Sequence, residues 1–206
     1  MSKRRQSKSA NWRREQQKNL HTKTARLLGY RSRAALKLME IDDAHHILQN
    51  SKSAVDLGSA PGGWSQVMAK RMSAAGRIIA VDLLPMAEIS GVFFLQADFF
   101  LPTVRVKISE YLEGLADLVV SDMSPNLSGV AASDQSRAAE LGLATVQFCS
   151  VGLCVGGNLL IKSFQGEEQE RVQTALTEGF RKVKAIRPKA TRTASKELYL
   201  LALGHC

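Results

Sequence analysis

The segment Val55-Asp56-Leu57-Gly58-Ser59-Ala60-Pro61-Gly62-Gly63-Trp64 joins a short apolar run to a glycine-rich turn and then to a helical pattern. In open α/β sheets ligands bind beyond the carboxyl ends of the strands, where the strand order reverses. Taken alone, such a turn is a tight strand-to-helix connection. Pyrophosphate is disfavoured here: Ala60 stands where the second glycine of G-x-G-x-x-G would admit it, and Pro61 has no N–H to offer. A nucleoside without phosphates fits better. Asp82, 24 residues beyond Gly58, ends the next apolar run and is suited to ribose hydroxyls, while Asp98 and Asp122 end two later runs. Any one strand-terminal aspartate is ordinarily a turn or helix cap. Asp56, Asp82, Asp98 and Asp122 on successive strands converge on one rim, and the ligand expected there is S-adenosylmethionine. Asp82 would take its ribose, Asp98 would lie near its adenine amino group, and the Gly58 to Gly63 loop would meet its methionine end.

The elements that must position these residues follow from periodicity. Apolar runs at Ala54 to Leu57, Arg77 to Asp82, Val92 to Ala97, Asp117 to Asp122 and Leu159 to Ser163 alternate with helical patterns at Trp64 to Met72, Val104 to Glu113 and Asp134 to Cys154. Two further runs, Phe180 to Ile186 and Glu197 to Leu203, are joined by a basic polar segment too short for a crossover helix and should pair antiparallel at one edge. The expectation is an α/β fold with a mostly parallel seven-stranded sheet and an antiparallel edge hairpin. Arg31 to Leu48 reads as a helix packed before the first strand, with Leu36, Leu38, Ile41 and Leu48 as core candidates. Leu141 to Ile161 carries no charge over 21 residues. Gly156-Gly157 divides it into a helical half and a strand half, which argues against a membrane span.

Composition adds a partner. The net charge is +9, and Lys3, Arg4, Arg5, Lys8, Arg13, Arg14, Lys18, Lys23 and Arg26 against Glu15 place +8 of it in residues 1–26. Residues 27–206 are a near-neutral single domain trailing a basic arm, and such arms meet polyanions. Cys149, Cys154 and Cys206 form no Cys-x-x-Cys pair and the four histidines have no helical i, i+4 spacing. A disulfide framework and a zinc site are therefore not expected, and a reducing compartment is. The basic, acid-poor start also matches a mitochondrial presequence, a minority reading beside a cytoplasmic one.

Five motifs in order carry a resemblance: residues 55 to 66 (Val-Asp-Leu-Gly-Ser-Ala-Pro-Gly-Gly-Trp-Ser-Gln), Asp82-Leu-Leu-Pro-Met86, Ser121-Asp-Met-Ser-Pro-Asn126, Lys162-Ser-Phe-Gln-Gly166 and Ser195-Lys-Glu-Leu-Tyr199. With the opening helix at Arg31-Ser-Arg-Ala-Ala-Leu-Lys37, the chain resembles the FtsJ/RrmJ ribosomal RNA 2'-O-ribose methyltransferases over about residues 25 to 203. The resemblance implies a Rossmann-like S-adenosylmethionine-dependent methyltransferase fold. It implies a catalytic tetrad at Lys37, Asp122, Lys162 and Glu197, and cofactor contacts at Gly58, Gly62, Trp64, Asp82, Asp98 and Asp122. It also implies a monomer acting on a uridine of large-subunit (23S) ribosomal RNA within the large ribosomal subunit. Ala35-Leu36, Ser124, Ser163 and Lys196 depart from the commoner family pattern, and none belongs to the tetrad.

The chemistry is coherent on its own terms. A ribose hydroxyl is a weak nucleophile, so methylating it needs in-line placement and a group that takes or shields the proton. A lysine beside other cations can serve as that base, and Lys162 would have Lys37 and the sulfonium as neighbours. Asp122-Met-Ser-Pro-Asn126 lacks the second proline and the aromatic that amino methyltransferases carry after this strand, which favours a hydroxyl target. Transfer RNA as substrate, an NAD(P)-dependent oxidoreductase on the same scaffold, and a ribosome-assembly RNA-binding protein without activity are the alternatives.

Overall fold

The computed structural model describes residues 20–126, 128–192 and 195–206. The sheet contains β1 (Ser53–Leu57), β2 (Arg77–Asp82), β3 (Phe93–Gln96), β4 (Ala116–Ser121), β5 (Leu153–Phe164), β6 (Phe180–Ile186) and β7 (Glu197–His205), in the spatial order β3-β2-β1-β4-β5-β7-β6. The first five are mutually parallel, and β7 runs antiparallel between β5 and β6. The order reverses between β1 and β4, and it is their carboxyl ends that lead into Gly58 and Asp122.

Alternation along the strands divides the core into two layers. Val55, Leu57, Val119, Leu159, Ile161, Leu198 and Leu200 face α3 (Pro102–Leu112), α4 (Ala131–Gly152) and α5 (Glu167–Gly179). Ala54, Leu118, Val120, Leu160, Tyr199 and Leu201 face α1 (Ala34–His45) and α2 (Gly63–Arg71). Both faces of the central strands are covered, which is why they read as continuous apolar runs.

Four expectations need correction. The segment between β5 and β6 is α5, which went unread: only Val172 and Leu176 are buried on it, although an acidic first turn after Gly166 marks a helix start. The uncharged segment changes from helix to strand at Gly152–Leu153, because Leu153 is buried at the start of β5. Gly156 and Gly157 instead sit within β5, where its pairing with β4 shifts register between Leu153 and Asn158. In α1 the expected core residue Leu36 is only half-buried, and Ala35 and Lys37 are buried with Leu38 and Ile41. Finally, residues 20–27 form a helical stretch whose Ala25 is 2% exposed, so the last turn of the expected arm packs on the domain. Residues 1–19 lie outside those described. Among the described residues no helix is long and apolar enough to cross a membrane.

Candidate active site

The glycine turn is held by backbone and carboxylate together. Gly58 and Ser59 donate their N–H groups to the Val81 carbonyl at 2.9 and 3.3 Å, and Ala60 N donates to Asp82 Oδ2 at 2.8 Å. Gly62 caps α2 in the left-handed region, φ +104°, where an added Cβ would lie 2.7 Å from Ile89 Cδ1 and 2.9 Å from Met86 Sδ. One arginine fastens this turn to the following loop: Arg31 donates to Ala87 O and Glu88 O, each at 2.7 Å, and to Pro61 O at 3.3 Å. Behind it, Trp64 Nε1 donates to Ala34 O at 2.9 Å and Ser65 Oγ to Asp56 Oδ2 at 2.6 Å.

Two adjoining cavities open on this turn, with Gly58, Ala60 and Asp122 in the walls of both. The larger, about 560 Å³, has apolar walls at Leu83, Leu84, Phe99 and Phe100 and acids at Asp82 and Asp98. Its volume lies in the usual range for small-molecule sites. Asp82 Oδ1 accepts from Leu84 N at 2.8 Å and Asp98 Oδ1 from Phe100 N at 2.9 Å, which aims both carboxylates. The smaller, about 260 Å³, contains Ser59, Trp64 and Asp56 together with Lys37, Asp122, Lys162 and Glu197. Of the sequence-expected ligand residues, only Gly62 lines neither cavity; it acts through the shape of the turn.

This pair of cavities fits S-adenosylmethionine by its donor set. An apolar slot flanked by two acids suits an adenosine, and the smaller cavity offers the buried Ser59 Oγ, which has no hydrogen-bond partner among the described residues. Asp56 also belongs to that end. Burial pushes its carboxyl up to about 7 against the hydrogen bond from Ser65, with Asp122 and Asp82 adding to the rise.

All four tetrad positions meet. Lys37 Nζ is ion-paired with Glu197 Oε1, and Lys162 Nζ lies 3.2 Å from Asp122 Oδ1 and 3.7 Å from Glu197 Oε2. Lys162 also donates to the Asp122 carbonyl at 3.3 Å. Burial would push the Glu197 carboxyl up, yet Lys37 and Lys162 outweigh it and hold it below the ordinary carboxylate value.

Sequence reasoning gave Tyr199 no role, yet it joins the two halves of the cluster. Its hydroxyl accepts from Lys37 Nζ at 3.1 Å and donates to Asp122 Oδ1 at 2.7 Å. Burial first, then Asp122 and Glu197, push its phenol far above the ordinary value, so it keeps its proton. The available signal was register: Tyr199 sits directly across from Lys162 on the β5–β7 ladder. Arg31 and Arg187 are engaged with backbone carbonyls, Arg187 reaching Ser195 O at 2.7 Å.

Comparison with known proteins gives a consistent result. The profile of the FtsJ-like methyltransferase family matches residues 30–205. A protein of Nitrosospira multiformis named ribosomal RNA large subunit methyltransferase E is 44% identical over 194 residues, 94% of this chain and 94% of the relative. A Rhizobium leguminosarum protein of the same name is 40% identical, over 98% of this chain and 86% of its own. Among solved structures, a Plasmodium falciparum chain assigned as a ribosomal RNA methyltransferase superimposes with a TM-score of 0.76 at 29% identity, covering 85% of this chain and 98% of that one.

Proposed function

Since the chain belongs to the FtsJ-like methyltransferase family, we propose that it methylates a ribose 2'-hydroxyl in RNA, on a uridine of large-subunit ribosomal RNA, with S-adenosylmethionine as donor. One observation carries the reading: a largely buried, charge-balanced cluster of Lys37, Asp122, Lys162, Glu197 and Tyr199 stands beside an apolar-walled cavity that presents Asp82 and Asp98. The names of the relatives support ribosomal RNA as the substrate. A monomer working in the cytoplasm belongs to the same reading.

Asp82 and Asp98 would hold the ribose and adenine ends of S-adenosylmethionine, and the Gly58 turn with Asp122 its methionine end. When bound, that molecule supplies an electrophilic methyl on a sulfonium. The chain's own residues do the rest. Lys162, at the carboxyl end of a central strand and in the wall of the smaller cavity, orients the ribose hydroxyl and, as the neutral amine after shedding its own proton, takes the hydroxyl's proton as the new O–C bond forms. Asp122 and Glu197 fix the Lys162 amine from two sides, so little motion is required of it. Lys37 is turned away into Glu197 and Tyr199, where it balances the carboxylates.

The deciding experiment uses ribosomal particles from cells lacking the gene. Radiolabelled methyl transfer to large-subunit RNA, mapped to one ribose, is expected. Transfer confined to tRNA would replace the substrate, and RNA binding without transfer would replace the enzyme with a binding protein.

A further inference from the structure

Outward of the tetrad lies a hollow of about 310 Å³, floored by Lys37, Lys162 and Glu197 and walled by Arg33, Arg192 and Phe164. The tetrad is balanced within itself, two ammonium groups against two carboxylates. Arg33 and Arg192 therefore add cationic charge that the tetrad does not neutralise. They differ from Arg31 and Arg187, whose guanidinium groups are occupied by carbonyls. Arg33 Nη1 is buried with no hydrogen-bond partner among the described residues. Burial, and after it the neighbouring Arg192, hold the Arg33 guanidinium below its ordinary value, while Glu197, Tyr199 and Asp122 pull the other way.

Two forked cations against one hollow, one of them with a buried donor unspent, match an anion that accepts several hydrogen bonds, and phosphate is such a group. In RNA a phosphodiester is attached at the carbon next to the 2'-hydroxyl. A ribose presented to Lys162 thus carries its phosphate within a few bonds of the reacting oxygen. Phe164 supplies a third part. It follows Lys162 by two positions on β5, so both side chains leave the same face of the strand. Phe164 is half-buried and lines the hollow, leaving an aromatic surface on which a base can stack.

The geometry points to Arg33 and Arg192 as a clamp for the phosphodiester adjoining the methylated ribose, with Phe164 as the platform for that nucleotide's base. This rests on RNA being the substrate, as proposed above, and it identifies the residues that seat the acceptor nucleotide.

The test is a titration of the full chain with a labelled large-subunit ribosomal RNA transcript over a range of salt, beside calorimetry with S-adenosylmethionine. Arg33→Gln and Arg192→Gln should each weaken RNA binding about tenfold and flatten the slope of log affinity against log salt, the double variant by about 0.7 to 0.9, the value for one neutralised phosphate, and each single variant by less. Because both arginines hold the same phosphate, the double variant should lose less than the product of the single losses. Phe164→Leu should weaken binding about fivefold or more with no change of slope, and Phe164→Tyr should restore it. Lys107→Gln, an exposed cation on α3, should leave the slope alone. Cofactor affinity equal to wild type reports that each variant is folded. Arginine variants that are folded by that criterion and bind RNA with wild-type affinity and slope overturn the clamp, whether or not the wild type transfers methyl. The expected losses in a protein that transfers none uphold the clamp and remove the methylation reading. A wild type that does not bind the transcript overturns both.

Discussion

Among the described residues Lys162 has three acceptor contacts, and all three belong to Asp122 or Glu197. Its role is therefore testable by deletion. Lys162→Ala should leave cofactor affinity within about twofold and lower single-turnover methylation by ~10² or more, as for a lost acid/base or orienting group. Turnover above a tenth of wild type would remove it from the chemistry. Asp56 gives a second residue-scale test, of stability against pH. Its carboxyl titrates at about 7 in the native state, against about 3.9 in an unfolded chain. The native state binds the extra proton in that window, so this group's contribution to stability falls as pH rises from about 4 to about 7 and is least above it. Asp56→Asn keeps an acceptor for Ser65 and removes the titration. Its stability relative to wild type should rise by more than about 1 kcal/mol between pH 5 and pH 8, measured by urea unfolding at both values. An equal difference at the two pH values would mean that Asp56 is ionised throughout.

The turn before α2 shows how an element's shape follows from a missing side chain. At φ +104°, with Ile89 Cδ1 at 2.7 Å, Met86 Sδ at 2.9 Å and Arg31 Nη1 at 3.0 Å from an added Cβ, Gly62 takes another residue only with a strained backbone and shifts of the side chains that crowd it. Gly62→Ala should lower stability by about 1–3 kcal/mol and weaken cofactor binding, although Gly62 lines neither cavity. An unchanged denaturation midpoint would show that the turn tolerates a Cβ. Much of the frame was legible because buried parallel strands write themselves as runs of Val, Ile, Leu and Ala: β2 and β6 fall within the bounds that their residues suggested. Helix α5 was not, since two buried side chains make no stripe. At the site, motif order gave the tetrad, but Tyr199 looks like any core aromatic until the register of β5 and β7 is known. Likewise, nothing in Arg31-Ser32-Arg33 tells which guanidinium will be consumed by carbonyls and which left for a ligand.

Across the whole molecule, charge is as uneven as the fold is regular. The helical stretch 20–27 leads to Gly29, whose carbonyl accepts from Gln66 Nε2 on α2 at 3.1 Å. We expect residues 1–19, with seven basic side chains and Glu15, to act in RNA capture. Removing them should flatten the salt slope by about 0.7 to 0.9 for each phosphate they neutralise, with cofactor affinity and the rate at saturating RNA near wild type. An unchanged slope would make the segment a bystander. The position of β7 also bears on synthesis. It is the last strand of the sheet in chain order but sits between β5 and β6, which are made before it. While it is still being translated, two strands wait with unpaired edges, the kind of surface that recruits foreign strands. Glu197 and Tyr199 arrive only with β7. Since β6 pairs only with β7 among the described strands, the step that adds β7 to β5 both completes the sheet and brings Glu197 and Tyr199 to Lys37 and Lys162.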